Sequence, residues 1–180
     1  MMKNSILAVV VMILSLWATD GLAQEALKPR VSPLAVVTFK EHDTYVKITY
    51  GRPHKRDREL FGTLVPYGKV WRTGANEATE VTLTGDVRVA GKILKAGTYS
   101  LFTIPNEDNW TIIFNNDLGQ WGSYEYKEED DVLRVSVSAE QLESIYEPLT
   151  MEFENMEDGK ANWLIMWDST KAIIPLEFMW

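Results

Sequence analysis

The sequence predicts an all-β protein: an antiparallel two-layer β-sandwich, jelly-roll-like, of about ten short strands with at most one short helix. Apolar and polar residues alternate with period two along most of the chain, as in strands that bury one face. Turn residues separate these runs at intervals of about 8–15 residues. The 180 residues include 7 Trp, 7 Tyr and 6 Phe, and aromatic side chains favour strands.

The predicted strands begin with a hairpin. Val37 and Phe39 start the alternation, the polar turn 41–43 follows, and the run 44–50 alternates again. The further predicted strands have the same alternation or a short apolar run between turn residues. They are 80–84, 86–89, 93–94, 98–104, 110–114, 132–137, 149–153, 162–167 and 173–178.

One short helix is predicted after the strand 132–137. Ser138 and Gln141 have the spacing of a capping box, with Ser at the N-cap and Gln at N3. Leu142 and Ile145 then fall on one helical face, and Pro148 ends the helix. A two-turn helix leaves the all-β class unchanged.

The N-terminal segment has the pattern of a secretory signal peptide. Lys3 supplies positive charge, residues 6–17 are apolar apart from Ser15, and small residues precede a predicted cleavage after Ala23. The apolar run is shorter than the roughly 20 residues of a membrane span. We therefore expect an exported, periplasmic or extracellular protein with no stable membrane span after cleavage. Its parts are a signal peptide 1–23, an extended lead-in 24–33 and a single β-sandwich domain 34–180.

Composition and charge exclude several classes of function. The chain has 18 Lys and Arg against 26 Asp and Glu, and this net charge of −8 disfavours nucleic-acid binding. It has no Cys, which excludes disulfides, thiolate metal sites and a cysteine nucleophile. The two histidines, His42 and His54, form no paired metal-binding motif. P-loop, dinucleotide-binding and nucleophile-elbow motifs are also missing, so we expect no cofactor and no metal.

Two adjacent tracts do not alternate, and they supply the candidate site. The tract 51–62 is basic within an acidic protein, and the tract 66–78 combines aromatic, glycine and polar residues. A connection of about 30 residues between strands is long for a compact domain, and such loops are often functional. Arg binds carboxylates and phosphates through two parallel hydrogen bonds. The candidate ligand-binding residues are Arg52, Lys55, Tyr67, Arg72, Asn76 and Glu77.

Part of this set is expected to form one concave polar cluster. Pro53 ends its strand and leaves Arg52 at the rim, while Trp71 anchors the loop and turns its neighbour away from the core. Gly74 then allows a tight turn that brings the chain back. The predicted cluster consists of Arg52, Arg72, Asn76 and Glu77.

A structural interpretation of the same loop stays open. The loop would fold over an open end of the sandwich, and Trp71 and Tyr67 would fill the core. Arg72 would then pair with Glu77 or another carboxylate, because structural ion pairs resemble binding sites in their residue types.

The amino-acid sequences of the two tracts and of several predicted strands resemble those of one known family. The similar segments are 48–53, 60–62, 64–79, 96–105, 110–115, 120–122 and 131–135. Together they resemble the domain-of-unknown-function 2911 family of exported bacterial proteins over about residues 32–178. Asp57 departs from the family, which usually has Gly before the residue equivalent to Arg58. The resemblance implies export and an all-β domain, and it implies no reaction.

Three functions follow as hypotheses. The first is a non-catalytic module that binds a small polar, anionic or glycan ligand, supported by the arginines and the many aromatic residues. The second is a hydrolase that uses Glu77 or an Asp as base, with arginines holding an anionic group. The third is a structural envelope protein without a ligand. A cavity lined by both tracts favours the first two over the third.

Overall fold

The computed structural model describes residues 28–179, so the predicted signal peptide 1–23 lies outside the described residues. The all-β prediction is confirmed: these residues form nine β-strands and one turn of 3-10 helix, Glu128–Asp130. Residues 28–33 precede the first strand without regular structure. None of the helical structure within 28–179 is long and apolar enough to cross a membrane.

In the first two-thirds of the chain the observed strands follow the predicted runs closely. Near the end, each of the two long observed strands covers two predicted strands. Their bounds are β1 Leu34–Glu41, β2 Thr44–Gly51, β3 Thr79–Leu83, β4 Val87–Val89, β5 Lys92–Leu94, β6 Gly97–Pro105, β7 Asn109–Asn115, β8 Asp131–Asn155 and β9 Lys160–Phe178. Thus β8 joins two predicted strands, and β9 joins the last two.

The nine strands form one open antiparallel sheet with the order β1-β2-β3-β6-β7-β8-β9-β4-β5. In place of two separate sheets, the long β8 belongs to both halves of one sheet. Its residues up to Ser138 pair with β7, and its residues from Ala139 pair with β9. Pairing with β9 is irregular between Gln141 and Thr150, where β8 changes register.

The predicted helix at 138–148 is wrong, because this segment lies within β8. Ala139 is opposite Ala172 in β9, and Glu140 is opposite Lys171. The Lys171 ammonium lies 3.0 Å from the Glu140 carboxylate, which adds a cross-strand ion pair. A two-turn helix is too short to be stable by itself, whereas the neighbouring strand offers hydrogen-bond partners along the segment.

One hydrophobic core is shared by both halves of the sheet. Alternation places apolar side chains of every strand from β2 onward in this core, and β1 packs on it through partly buried residues. The ring of Phe39 on β1 lies 5.2 Å from Phe153 on β8 and 5.3 Å from Phe178 on β9, measured between centroids. Strands far apart in the hydrogen-bonding order therefore meet across the core.

Trp71 anchors the long connection between β2 and β3 to this core. Its backbone N–H donates to Thr103 in β6, and it accepts a hydrogen bond in return from the Thr103 N–H. Its buried indole stacks on Trp167 with ring centroids 5.8 Å apart and lies edge-on to Trp110. The connection is therefore ordered, and its position at one end of the core is determined by this aromatic contact.

Candidate functional site

The first tract is attached to the edge of β8 before it turns away. The Lys55 N–H donates to the Glu147 carbonyl, and the Leu149 N–H donates to the Pro53 carbonyl. Arg58 then folds back over the turn, because its guanidinium donates from Nε to the Lys55 carbonyl and from Nη2 to the His54 carbonyl. These bonds attach the first tract to β8 and close its turn.

The second tract has a constrained backbone. Thr73 has a φ of 54° and Asn76 a φ of 66°, in the left-handed region that is rare for a β-branched residue such as Thr. Thr73 is fully buried, and its hydroxyl donates to Thr103 Oγ1 at 3.0 Å. The Thr79 hydroxyl donates to the Thr73 carbonyl at 2.8 Å. Strained residues that are held in this way cluster at functional sites.

The two tracts are in direct contact with each other. The Ala75 N–H donates to the Gly51 carbonyl at 3.2 Å, and a Cβ on Gly51 would collide with the carbonyl of Ala75. The tracts therefore meet at Gly51 and Ala75.

A cavity of about 360 Å³ lies at this contact. We name the lining residues by their burial. The buried ones, which we call the floor, are Pro53, Val65, Trp71, Gly74, Ala75 and Trp167. The half-buried ones, which we call the wall, are Ser32, Arg72 and Asn76. The exposed ones, which we call the rim, are Val31, His54, Arg56, Arg58 and Leu64.

The ionisable groups that line this cavity within residues 28–179 are all basic. They are three arginines and one histidine, and no carboxylate of this range is among them. Arg72 Nε is buried and has no hydrogen-bond partner within the described part of the chain. Burial lowers the pKa of the Arg72 guanidinium because it removes water from the charge, and Tyr124 partly offsets this effect.

Of the predicted cluster, Arg72 and Asn76 line the cavity, and Arg52 does not. The Arg52 guanidinium is directed to β8, where Nε donates to the Leu149 carbonyl at 3.1 Å and Nη2 donates to Thr150 Oγ1 at 3.2 Å. Arg52 therefore joins the first tract to β8.

The other three predicted residues also lie outside the cavity. Lys55 forms an ion pair with Asp168 at 2.7 Å and lines a neighbouring open groove of about 530 Å³. Tyr67 is exposed and lines a separate pocket beside residues 106–109. Glu77 lies at the end of the second tract, where its backbone pairs with Trp121. Within residues 28–179, no group of three His, Asp or Glu side chains is placed to hold a metal ion.

Comparison with known proteins identifies the family. The model of a family described as "Protein of unknown function (DUF2911)" matches residues 32–176. The chain belongs to this family. No curated protein and no solved structure is significantly similar to it. Both tracts and almost all of the sheet lie inside the matched region, so the cavity is part of the DUF2911 domain.

Several cavity residues of this DUF2911 domain were not among the predicted site residues. His54, Arg56 and Arg58 belong to the basic tract 51–62, whose charge was the signal, but local sequence does not show which cations face the second tract. Trp167 belongs to a predicted strand, where a Trp is indistinguishable from any other core residue. Only its stacking on Trp71 brings it to the floor of the cavity.

Proposed function

We propose that this DUF2911 protein is a binding module for a small anionic ligand. The observation that carries the proposal is the partly buried Arg72, which lines the cavity and whose buried Nε has no hydrogen-bond partner among residues 28–179. The other ionisable groups that line the cavity within this range are also basic. A buried polar atom without a partner is unfavourable, and a bound carboxylate or phosphate would satisfy it through a charge-assisted hydrogen bond. A cavity of about 360 Å³ lies within the size range of small-molecule sites.

The lining favours binding over hydrolysis. A hydrolase of the kind considered above needs a carboxylate within hydrogen-bond reach of the reacting group. Neither Glu77 nor any Asp of residues 28–179 lines the cavity. A purely structural role leaves the unsatisfied Arg72 Nε without an explanation, whereas ligand binding explains it.

Export is part of the same proposal. The signal-peptide pattern in residues 1–23 supports secretion to the periplasm or the extracellular medium. The intact mass of the protein isolated from its native host should correspond to a chain that begins at Gln24. A mature protein that retains residues 1–23 would contradict the proposed cleavage.

Two arginine variants test the binding function. Arg72→Ala should weaken binding of phosphate, acetate or benzoate by about ten- to a hundredfold in calorimetric titrations at low ionic strength, because one charge-assisted hydrogen bond is lost. Its melting temperature should stay close to that of the wild type, since Arg72 Nε has no partner to lose.

Arg52→Ala is the matched control. It should lower the free energy of unfolding by about 2 kcal/mol through the loss of hydrogen bonds to Leu149 and Thr150. The affinity of the folded variant for the same anions should change less than twofold. The binding function is wrong if no anion binds the wild type, or if Arg72→Ala binds anions as well as the wild type does.

A further inference from the structure

The two indole rings in the floor of the cavity, those of Trp71 and Trp167, have no free hydrogen-bonding group. Trp71 donates its indole N–H to the Gly74 carbonyl at 3.2 Å, and Trp167 donates its indole N–H to the Glu147 carbonyl at 3.2 Å. An indole has one donor and no acceptor, so both rings present only carbon surface to the cavity.

Several backbone groups of the floor are also paired within the protein. The Gly74 carbonyl accepts the Trp71 bond, the Ala75 N–H donates to Gly51, and the Pro53 carbonyl accepts from Leu149. Val65 donates its N–H to the Leu60 carbonyl, and its own carbonyl accepts from Gly62. A hydroxyl group placed against these groups would lose its water without gaining a partner, which is unfavourable.

Charged and apolar lining residues therefore differ in burial. The floor is apolar, Arg72 lies in the half-buried wall, and Arg56 and Arg58 lie at the exposed rim. Leu64 at the rim is a large apolar residue that is 44% exposed.

We propose that the ligand is a small amphiphilic acid, with an aliphatic or aromatic group on the floor and its acidic group at Arg72. This inference rests on the proposed anion-binding function and narrows it, because it excludes sugar acids and other polyhydroxyl anions. The apolar group displaces water from carbon surface, and the acid stays near the wall and rim, where the basic groups lie.

A series of monocarboxylates tests this ligand class by calorimetric titration of the purified protein. From acetate through butyrate to hexanoate, affinity should rise about three- to fourfold per methylene that reaches the floor. Benzoate should bind more tightly than acetate. Glucuronate has the same charge and a ring of hydroxyl groups, and it should bind no better than acetate.

Two variants locate the apolar group. Ala75→Val adds carbon atoms at the floor and should lower hexanoate and benzoate affinity at least fivefold while acetate affinity stays within twofold. Leu64→Ser should reduce the increase in affinity that each added methylene group gives. Leu118→Ser is its control, because Leu118 is 46% exposed and lies outside the cavity.

The possible outcomes separate this inference from the function on which it rests. If acetate, hexanoate and glucuronate bind with equal affinity, the amphiphilic class is wrong and anion binding stands. If neither a carboxylic acid nor phosphate binds the wild type, both are wrong. If hexanoate gains affinity over acetate equally in the wild type, Ala75→Val and Leu64→Ser, the apolar group lies elsewhere and the assignment to this cavity is overturned. A loss in Ala75→Val or Leu64→Ser that Leu118→Ser does not show supports it.

Discussion

Gly51 illustrates how single residues determine the geometry of the cavity. It is the last residue of β2, and its carbonyl accepts the hydrogen bond from Ala75 in the cavity floor. Arg52 beside it bonds to β8, and Pro53 is already part of the floor. Three consecutive residues thus connect a strand, the second tract and the cavity, and the close approach at Gly51 requires the absence of a side chain.

Gly51→Ala is expected to lower the free energy of unfolding by about 3 kcal/mol, as overpacking of a tight contact does. The colliding atom is the Ala75 carbonyl oxygen, which is backbone and cannot rotate aside. Urea denaturation measures the change. Gly91→Ala is the comparison, because Gly91 has a φ of 85° and open space around it, so its cost should be about 1 kcal/mol. Equal losses in the two variants would contradict the proposed collision.

At the scale of a single strand, the two faces of β1 have different roles. β1 lies at an edge of the sheet and pairs only with β2. Its inward residues Ala35, Val37 and Phe39 pack on the core, while Val36 on the other face is 59% exposed. Because Phe39 contacts rings on β8 and β9, this edge strand helps to cover the core.

Phe39→Ala should therefore lower the free energy of unfolding by about 3 kcal/mol, since a large aromatic contact is lost and a void is left. Val36→Ala, three residues away on the outer face, should change it by less than about 0.5 kcal/mol. Thermal or urea denaturation followed by circular dichroism gives both values. A large effect of Val36→Ala with a small one of Phe39→Ala would mean that the assignment of the faces is reversed.

The whole molecule is expected to lose stability in alkaline solution through its tyrosines. Burial raises the pKa of Tyr50, Tyr99 and Tyr126, and the carboxylate of Asp131 further raises that of Tyr126. The Tyr126 hydroxyl donates to Asp131 Oδ2 at 2.6 Å. In the unfolded chain a Tyr ionises near pH 10, so a raised pKa in the folded state stabilises the fold below about pH 10. This contribution is lost as the pH rises further.

Urea denaturation at pH 8 and at pH 11 tests this dependence with Tyr126→Phe beside the wild type. The wild type should lose stability between the two pH values, and Tyr126→Phe should lose less because Phe cannot ionise. At pH 8 the variant should be less stable than the wild type, since the bond to Asp131 is missing. Parallel losses in both proteins would show that Tyr126 does not contribute to the alkaline effect.

The fold was more predictable from the sequence than the site was. Alternation located the strands up to Phe114 because side-chain direction in a strand depends only on position parity. The segment after Ser138 was misassigned because its capping pattern is local, whereas its pairing with Ala172 and Lys171 involves residues more than 30 positions away. For the site, the long loop indicated the correct region. Within that region, Arg72 and Asn76 line the cavity, while Arg52 and Lys55 bond to β8 and Asp168.

The sequence by itself determined the all-β class, the strands of the first two-thirds of the chain and the family, because each depends on local patterns of side chains. Tertiary structure alone decided that β8 continues through both halves of one sheet and that Trp167 forms the floor of a cavity with Trp71. It also decided which arginines are exposed to a ligand. Arg52 bonds to Leu149, 97 positions away, and Arg72 Nε has no partner within the described residues. These outcomes depend on contacts between distant segments, and the spacing of residues along the chain carries no record of such contacts.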